Sequence, residues 1–425
     1  MVSDCHAVSK SEIDVARPLA RRPDQALRTL RSVTREPVGG RPRAPLRSRR
    51  AAAVRAALYA CVGSATDDEL RSRLEVIDAE MLVEPAIAHR VAGRVHARLQ
   101  SFDVATEVLD PLAAARRDSM AAHLEARRQL PAIQGALDAA GVPGIVFKGP
   151  VLASQWYDTP DHREYRDIDV LVGRTGFAAA ATAFEEAGFP GLCRNWQGFR
   201  DLRIAELPFR AGSMIVDLHW HTVALGAVRD SFEVDIDELF DRRVSVRVGD
   251  HEVSTFDPTD TLVQISLHAA LAGANRLVWL MDIDRLCRDE RLDWAAVVRR
   301  ANDARVGPPV AAVLQRAASS VGARVDRDVI VELAGGRTWL GVNAAVDRLP
   351  MSGKRADSGS HPSMVIMSGR GATTDTLQAF LAGVSRDARR LLRRPEAYAP
   401  WDWRPPTGGR PSRDAYYAGV TAGEL

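Results

Sequence analysis

Three aspartates, spaced for two neighbouring strands, carry most of the chemistry this sequence offers. In Arg166-Asp167-Ile168-Asp169-Val170-Leu171-Val172, acid and apolar residues alternate from Asp167 to Val170. A β-strand has a period of two, so Asp167 and Asp169 share one face while Ile168, Val170 and Val172 share the other. Same-face neighbours lie about 6.6 Å apart at a rise of roughly 3.3 Å per residue. At that separation two carboxylates can share one divalent ion or hold two. Two ionised carboxylates on one face repel, and a cation between them relieves the repulsion. The competing reading is an edge strand with a solvated acidic face. A second stretch, Val216-Asp217-Leu218-His219-Trp220-His221, puts Asp217, His219 and His221 on one face and Val216, Leu218 and Trp220 on the other. It supplies a third carboxylate, or alternatively a zinc set of Asp217, His219 and His221.

The elements that must position these residues are legible in the same stretch. Ile145–Phe147 reads as a short buried strand, followed by Lys148-Gly149-Pro150 and a helix to Tyr157 with Pro150 in its first turn. Asp167–Val172 is the acidic strand. Gly176–Ala187 reads as a helix closed by Gly188. Leu202–Phe209 and Ser213–Trp220 read as two strands joined by Arg210-Ala211-Gly212. Upstream, helical patterns cover Ala51–Val62, Asp67–Ile77 behind the cap Thr66, Glu84–Leu99, and Val104–Ala140 with an expected kink at Pro131. Downstream they return at Asp260–Gly273, Arg276–Arg288, Asp293–Ala304 and Pro309–Val321. Asp282-Ile283-Asp284 repeats the acidic spelling, but residues two apart on a helix do not share a face, so it is no metal pair. Further on, 350–373 reads as linker, Thr374–Leu392 as a helix, and the tail carries Trp401 and Trp403, expected to cover an apolar patch.

The chain has 425 residues, 46% hydrophobic and 26% charged, which is ordinary globular composition. No run of about 18 apolar residues exists, so no membrane span is expected, and the start of the chain lacks an apolar signal core. Cys5, Cys61, Cys193 and Cys287 show no metal-ligand spacing and fit free thiols in a reducing cytoplasm. The net charge of +2 is segregated. Residues 1–50 hold 12 Lys and Arg against 5 Asp and Glu, residues 351–425 hold 11 against 7, and residues 51–350 hold 34 against 43. An acidic body argues against gripping duplex nucleic acid, which needs clustered basic residues. Lysine occurs at positions 10, 148 and 354 only, against 54 arginines. In that background Lys148, just before a glycine, points to a wanted ammonium charge.

Together, Lys148-Gly149, Tyr157, Arg163, the Asp167–Val172 strand and Val216-Asp217-Leu218-His219-Trp220 resemble the uncharacterised nucleotidyltransferase family of the DNA polymerase beta-like superfamily. His268, Trp279, Asp282 and Asp293-Trp294 extend the resemblance over roughly residues 110 to 320. It implies an α+β fold: a small mixed β-sheet nucleotidyltransferase core with flanking helices, between N-terminal and C-terminal helical regions. The expected boundaries are a disordered basic leader over 1–50, a helical region over 51–140, the core over 141–258, a second helical region over 259–340, and a linker, helix and loose tail over 341–425. The resemblance implies transfer of a nucleoside monophosphate from an NTP to a hydroxyl of a protein or small molecule, with release of pyrophosphate. Asp167, Asp169 and Asp217 would be both catalytic residues and ligands of Mg2+, with two ions during catalysis. Lys148, Gly149, Ser154, Arg163 and His219 would meet the nucleotide. The wider superfamily follows its glycine with Gly or Ser, and its acidic strand comes sooner. Here Pro150 takes that place, leaving Lys148, Ser154 and Arg163 as alternative phosphate contacts. Two other functions remain open: a nucleotide-binding or regulatory protein without turnover, and a zinc-dependent hydrolase.

Overall fold

The acidic strand forms where its alternation demands. The computed structural model describes residues 44–193, 195–338, 340–341 and 409–425. Most of the leader, the 350–373 linker, the expected helix at Thr374–Leu392, Cys5, Trp401 and Trp403 lie outside the described residues. The chain divides between Arg49 and Arg50, and the sheet and its flanking helices belong to the unit from Arg50 onward.

Helices come first: α1 (Ala44–Val62), α2 (Asp67–Leu74), α3 (Val83–Ala88), α4 (Ala92–Leu99) and α5 (Thr106–Ala139). Thr66 caps α2 with its side chain on the Glu69 amide, and Glu69 returns the bond to the Thr66 amide. That reciprocal box satisfies two donors that a helix start leaves open. The pattern expected as one helix over Glu84–Leu99 is two. Arg90 has a φ of 58°, and the Val91 amide reaches back to the Ala86 carbonyl, so α3 closes before α4 begins. Apolar spacing alone does not reveal a left-handed residue. The 34-residue α5 runs without a break through Pro111 and Pro131.

The sheet comes next. Its strands are β1 (Gly144–Phe147), β2 (Asp167–Val172), β3 (Glu206–Ala211) and β4 (Met214–His219), in the spatial order β1-β2-β4-β3. The β2–β4 pair is parallel and the other two pairs are antiparallel, so the sheet is mixed. Between β1 and β2 lies α6 (Gly149–Gln155), with proline at its start. Between β2 and β3 lie α7 (Phe177–Glu186) and α8 (Trp196–Asp201). The expected strand from Leu202 therefore starts four residues late, because α8 and the positive-φ residue Arg203 precede it. Past β4 come α9 (Gly226–Arg229), α10 (Ile236–Asp241) and a hairpin of β5 (Val244–Val248) and β6 (His251–Thr255). Gly249, at φ 65°, makes the tight turn of this hairpin.

Helices close the unit: α11 (Pro258–Leu271), α12 (Leu277–Leu286), α13 (Trp294–Asp303), α14 (Gly307–Val321), α15 (Arg327–Leu333) and α16 (Gly409–Thr421). The fold is thus α+β, a small mixed sheet with flanking helices. None of its helices among the described residues is long and apolar enough to cross a membrane.

Each face of the sheet has its own neighbours. Ile168, Val170, Val172, Val216, Leu218 and Trp220 pack with α5 and α7 residues in one core. Tyr416 of α16 completes that core. Its hydroxyl donates to the Ile204 carbonyl at 2.7 Å and accepts from Trp220 Nε1 at 3.1 Å. Arg174 and Arg229 lie over the Trp220 ring, 4.2 and 4.3 Å from its centroid. The opposite face has only a small apolar patch, Ile145, Phe147, Leu171, Leu239, Phe240 and Phe256. The acids stand beside that patch. A separate core binds α1 to α4 onto α11, α12 and α14.

Candidate active site

Register decides where the acids go. In the parallel β2–β4 ladder Asp169 is paired with Asp217 and Asp167 with Ile215. Paired positions of neighbouring strands project to the same face, so Asp167, Asp169 and Asp217 share one. Phe147 lies opposite Asp169 on β1, and Pro208 opposite Asp217 on β3. Glu206, opposite His219 on β3, adds a fourth carboxylate that the sequence did not single out.

Asp169 is the centre of this group. Lys148 Nζ donates to its Oδ1 at 3.0 Å, and His219 Nε2 lies 3.1 Å from the same oxygen. The other His219 nitrogen is 3.5 Å from Glu206 Oε2. Lys148 reaches this position from a backbone at φ 55°, ψ −126°, a region that favours glycine and costs other residues of order 1–3 kcal/mol. Its ammonium also lies 4.8 Å from the Phe147 ring centroid. Gly149 has a packing reason to be glycine. A Cβ there would lie 2.8 Å from the Asp167 carbonyl oxygen and 2.9 Å from the Tyr165 ring.

Burial and like charge set the titration of the group. Burial raises the Asp217 carboxyl well above its ordinary range, and the charges of Glu206, Asp169 and Asp167 push the same way. Asp167 is raised by burial and then by Asp169. Burial also acts to raise Asp169, but Lys148 and His219 outweigh it and hold that carboxyl below the usual range. Burial opposes the Lys148 ammonium, yet Asp169 more than compensates and its pKa is raised. One carboxylate is thus held ionised while its neighbours resist ionisation.

A carboxyl raised above its unfolded value, near 3.8 for Asp217, contributes stability at low pH that is lost as pH climbs through the raised value. An Asp217→Asn chain lacks that loss. At neutral pH in chelator it is expected to show a higher urea midpoint than the parent, corresponding to about 1 kcal/mol of added stability. The gap should close as pH falls toward 4. Urea titrations at three pH values check this, and a lower midpoint for the variant at neutral pH would contradict the repulsion described.

The remaining expected residues are placed differently. Arg163 is buried in a bidentate pair with Asp282, Nε–Oδ1 2.7 Å and Nη2–Oδ2 2.9 Å, and Tyr157 donates to the same Oδ1 at 2.6 Å. Its guanidinium therefore ties the segment before β2 to α12. The Ser154 hydroxyl is buried on α6 with no hydrogen-bond partner among the described residues. His221 lies beyond the end of β4. Its Nδ1 accepts from the Val223 amide, and burial, then Arg229 and Arg174, push its pKa down to about 3. Strand alternation does not extend that far, so Asp217, His219 and His221 do not form a zinc set.

Among the described residues, no three His, Cys, Asp or Glu side chains already stand as a metal cage. Hard carboxylate oxygens are nonetheless the donors that a divalent cation such as magnesium prefers. Asp167, Asp169 and Asp217 are the residues that would hold it.

The helical side contributes His268 and Trp279, which carry part of the family resemblance, together with Arg276 and His89, which the sequence did not single out. The His268 ring on α11 has its pKa pushed down to about 3 by burial, then by Lys148, and also feels Asp169 and His219. The Trp279 ring of α12 stands edge-on to it, centroids 5.8 Å apart. Arg276 lies over Trp279 at 5.5 Å. His89, just before Arg90, accepts the Leu277 amide at its Nδ1.

With this geometry in place, the comparison with protein families is decisive for kinship. Residues 75–322, more than half of the chain, match the family described as uncharacterised nucleotidyltransferase. The chain belongs to that family. Membership gives it a general nucleotidyl-transfer role. The matched span runs from the helices before α5, through the sheet, to the end of α14. It contains Asp167, Asp169, Asp217, Lys148 and the Arg163–Asp282 pair. No curated protein matches the chain.

Proposed function

We propose that this nucleotidyltransferase moves a nucleoside monophosphate from an NTP to a hydroxyl of a protein or small-molecule acceptor and releases pyrophosphate. The observation that supports it is the β2–β4 register, which gathers Asp167, Asp169 and Asp217 on one face. Magnesium held by those three carboxylates would supply Lewis-acid stabilisation of the charge that builds on the α-phosphate and the leaving pyrophosphate. The chain's own residues do the rest. Asp217, in its carboxylate form, takes the proton of the acceptor hydroxyl. Lys148 offers its ammonium at the same edge as Asp169, where a phosphate oxygen can compete for it. His219 holds Asp169 in place from the neighbouring strand.

A second reading, an NTP-binding protein without turnover, draws on one observation. Lys148 and His219 both engage the Asp169 oxygen that a metal would use. Incubation with each labelled NTP and Mg2+, with and without a lysate of the source organism, tests the first reading. Label transferred to an acceptor, with one pyrophosphate per transfer, is expected. Calorimetric binding of ATP and Mg2+ with no transfer to any acceptor favours the second.

A further inference from the structure

We propose that Arg90 forms a subsite for the phosphate tail of the nucleotide on the helical side of the acid face. This inference rests on the transfer reading above and assigns a part of the site that the acidic strands cannot supply. A triphosphate next to Asp167, Asp169, Asp217 and Glu206 needs cations. The two expected from the sequence are engaged, Arg163 by Asp282 and Lys148 by Asp169.

Arg90 is different. It stands in the turn between α3 and α4, at φ 58°, half-buried. Among the described residues its side chain makes no ion pair and no hydrogen bond, while its amide donates to the Ile87 carbonyl. A half-buried guanidinium with no fixed hydrogen-bond acceptor leaves its donors open to an added anion. The turn itself is held firmly from two sides. The Leu277 amide donates to His89 Nδ1 and the Val278 amide to the His89 carbonyl, which fixes it to the start of α12. On the other side Gly93 lies so close to the segment before β2 that a Cβ would meet the Asp161 carbonyl oxygen at 2.1 Å. The backbone thus holds a left-handed arginine, where a glycine would be less strained, between α12 and the approach to the acids.

The charges that face Arg90 agree with an anion site. Burial, then the neighbouring Arg276, weaken its hold on its proton, while Glu164 and Asp167 act against them and Arg166 adds to the repulsion. Asp167 in turn feels Arg90. A guanidinium that feels the charge of a second one is stabilised by a polyanion drawn to its side. Arginine suits that role, because its planar fork matches phosphate oxygens two at a time.

Inorganic tripolyphosphate with Mg2+ is the probe, because it carries the tail without base or sugar. By calorimetry the parent should bind it. Arg90→Gln should weaken that binding by roughly 10- to 100-fold. Arg90→Lys should recover part of the loss, and AMP binding should change little in either variant. Thermal midpoints of both variants establish that they fold. Parent-like tripolyphosphate affinity in Arg90→Gln, or an equal loss for AMP, overturns the subsite, as does a parent that does not bind the probe. The transfer reading fails separately: a parent that binds tripolyphosphate through Arg90 yet labels no acceptor keeps the subsite and loses the reaction.

Discussion

An Asp169→Asn protein is expected to fold and to lose nucleotidyl transfer by on the order of 10²–10³-fold. Asn keeps the shape of the side chain and an oxygen that can accept from Lys148. It loses the charge that Lys148 and His219 are arranged to stabilise. Asp169 is also the one of the three acids that holds both the Lys148 ammonium and the His219 ring on a single oxygen. Its charge is therefore the least replaceable of the three. Pyrophosphate release at saturating NTP and Mg2+ measures the effect. Turnover equal to the parent would remove Asp169 from the reaction. Asp217→Asn should also lose activity while gaining stability in chelator, and that opposite movement separates a reacting group from a structural one.

Asp282→Ala is expected to be the most destabilising single change at the site, by about 3–5 kcal/mol. The Arg163 and Asp282 side chains are 7% and 2% exposed. Truncating Asp282 leaves a guanidinium in the interior with no counter-ion and strips Tyr157 of its acceptor. Removing both charges is a different case. The double replacement Arg163→Met with Asp282→Leu buries apolar groups of similar size and should recover most of the loss. Urea unfolding of the single and double variants decides it. A single variant within about 1 kcal/mol of the parent would mean that the pair behaves like a surface ion pair.

How far the sequence could be read depended on range. β2 lies at Asp167–Val172 as its alternation requires, and β4 falls within the expected strand, because a period of two is a local signal. The shared face of the acids was legible for each strand but not between strands, since it depends on the parallel register of β2 with β4. Arg163 was read as a phosphate contact because its partner is 119 residues away. Glu206 is paired with His219 only across the β3–β4 ladder. The β5–β6 hairpin was missed: Val244–Val248 is largely exposed, so its pattern is weak. Arg90 was lost inside an apparently continuous helical pattern, where composition says nothing of a left-handed backbone.

The scarcity of lysine has a practical consequence. A chain of 425 residues with lysine only at 10, 148 and 354 would give a nitrogen-15 lysine spectrum of three side-chain signals. Within the described residues the sole source is the ammonium bound to Asp169. Selective isotope labelling thereby turns one atom at the heart of the acid group into a resident probe, able to follow added nucleotide or cation without any engineered tag.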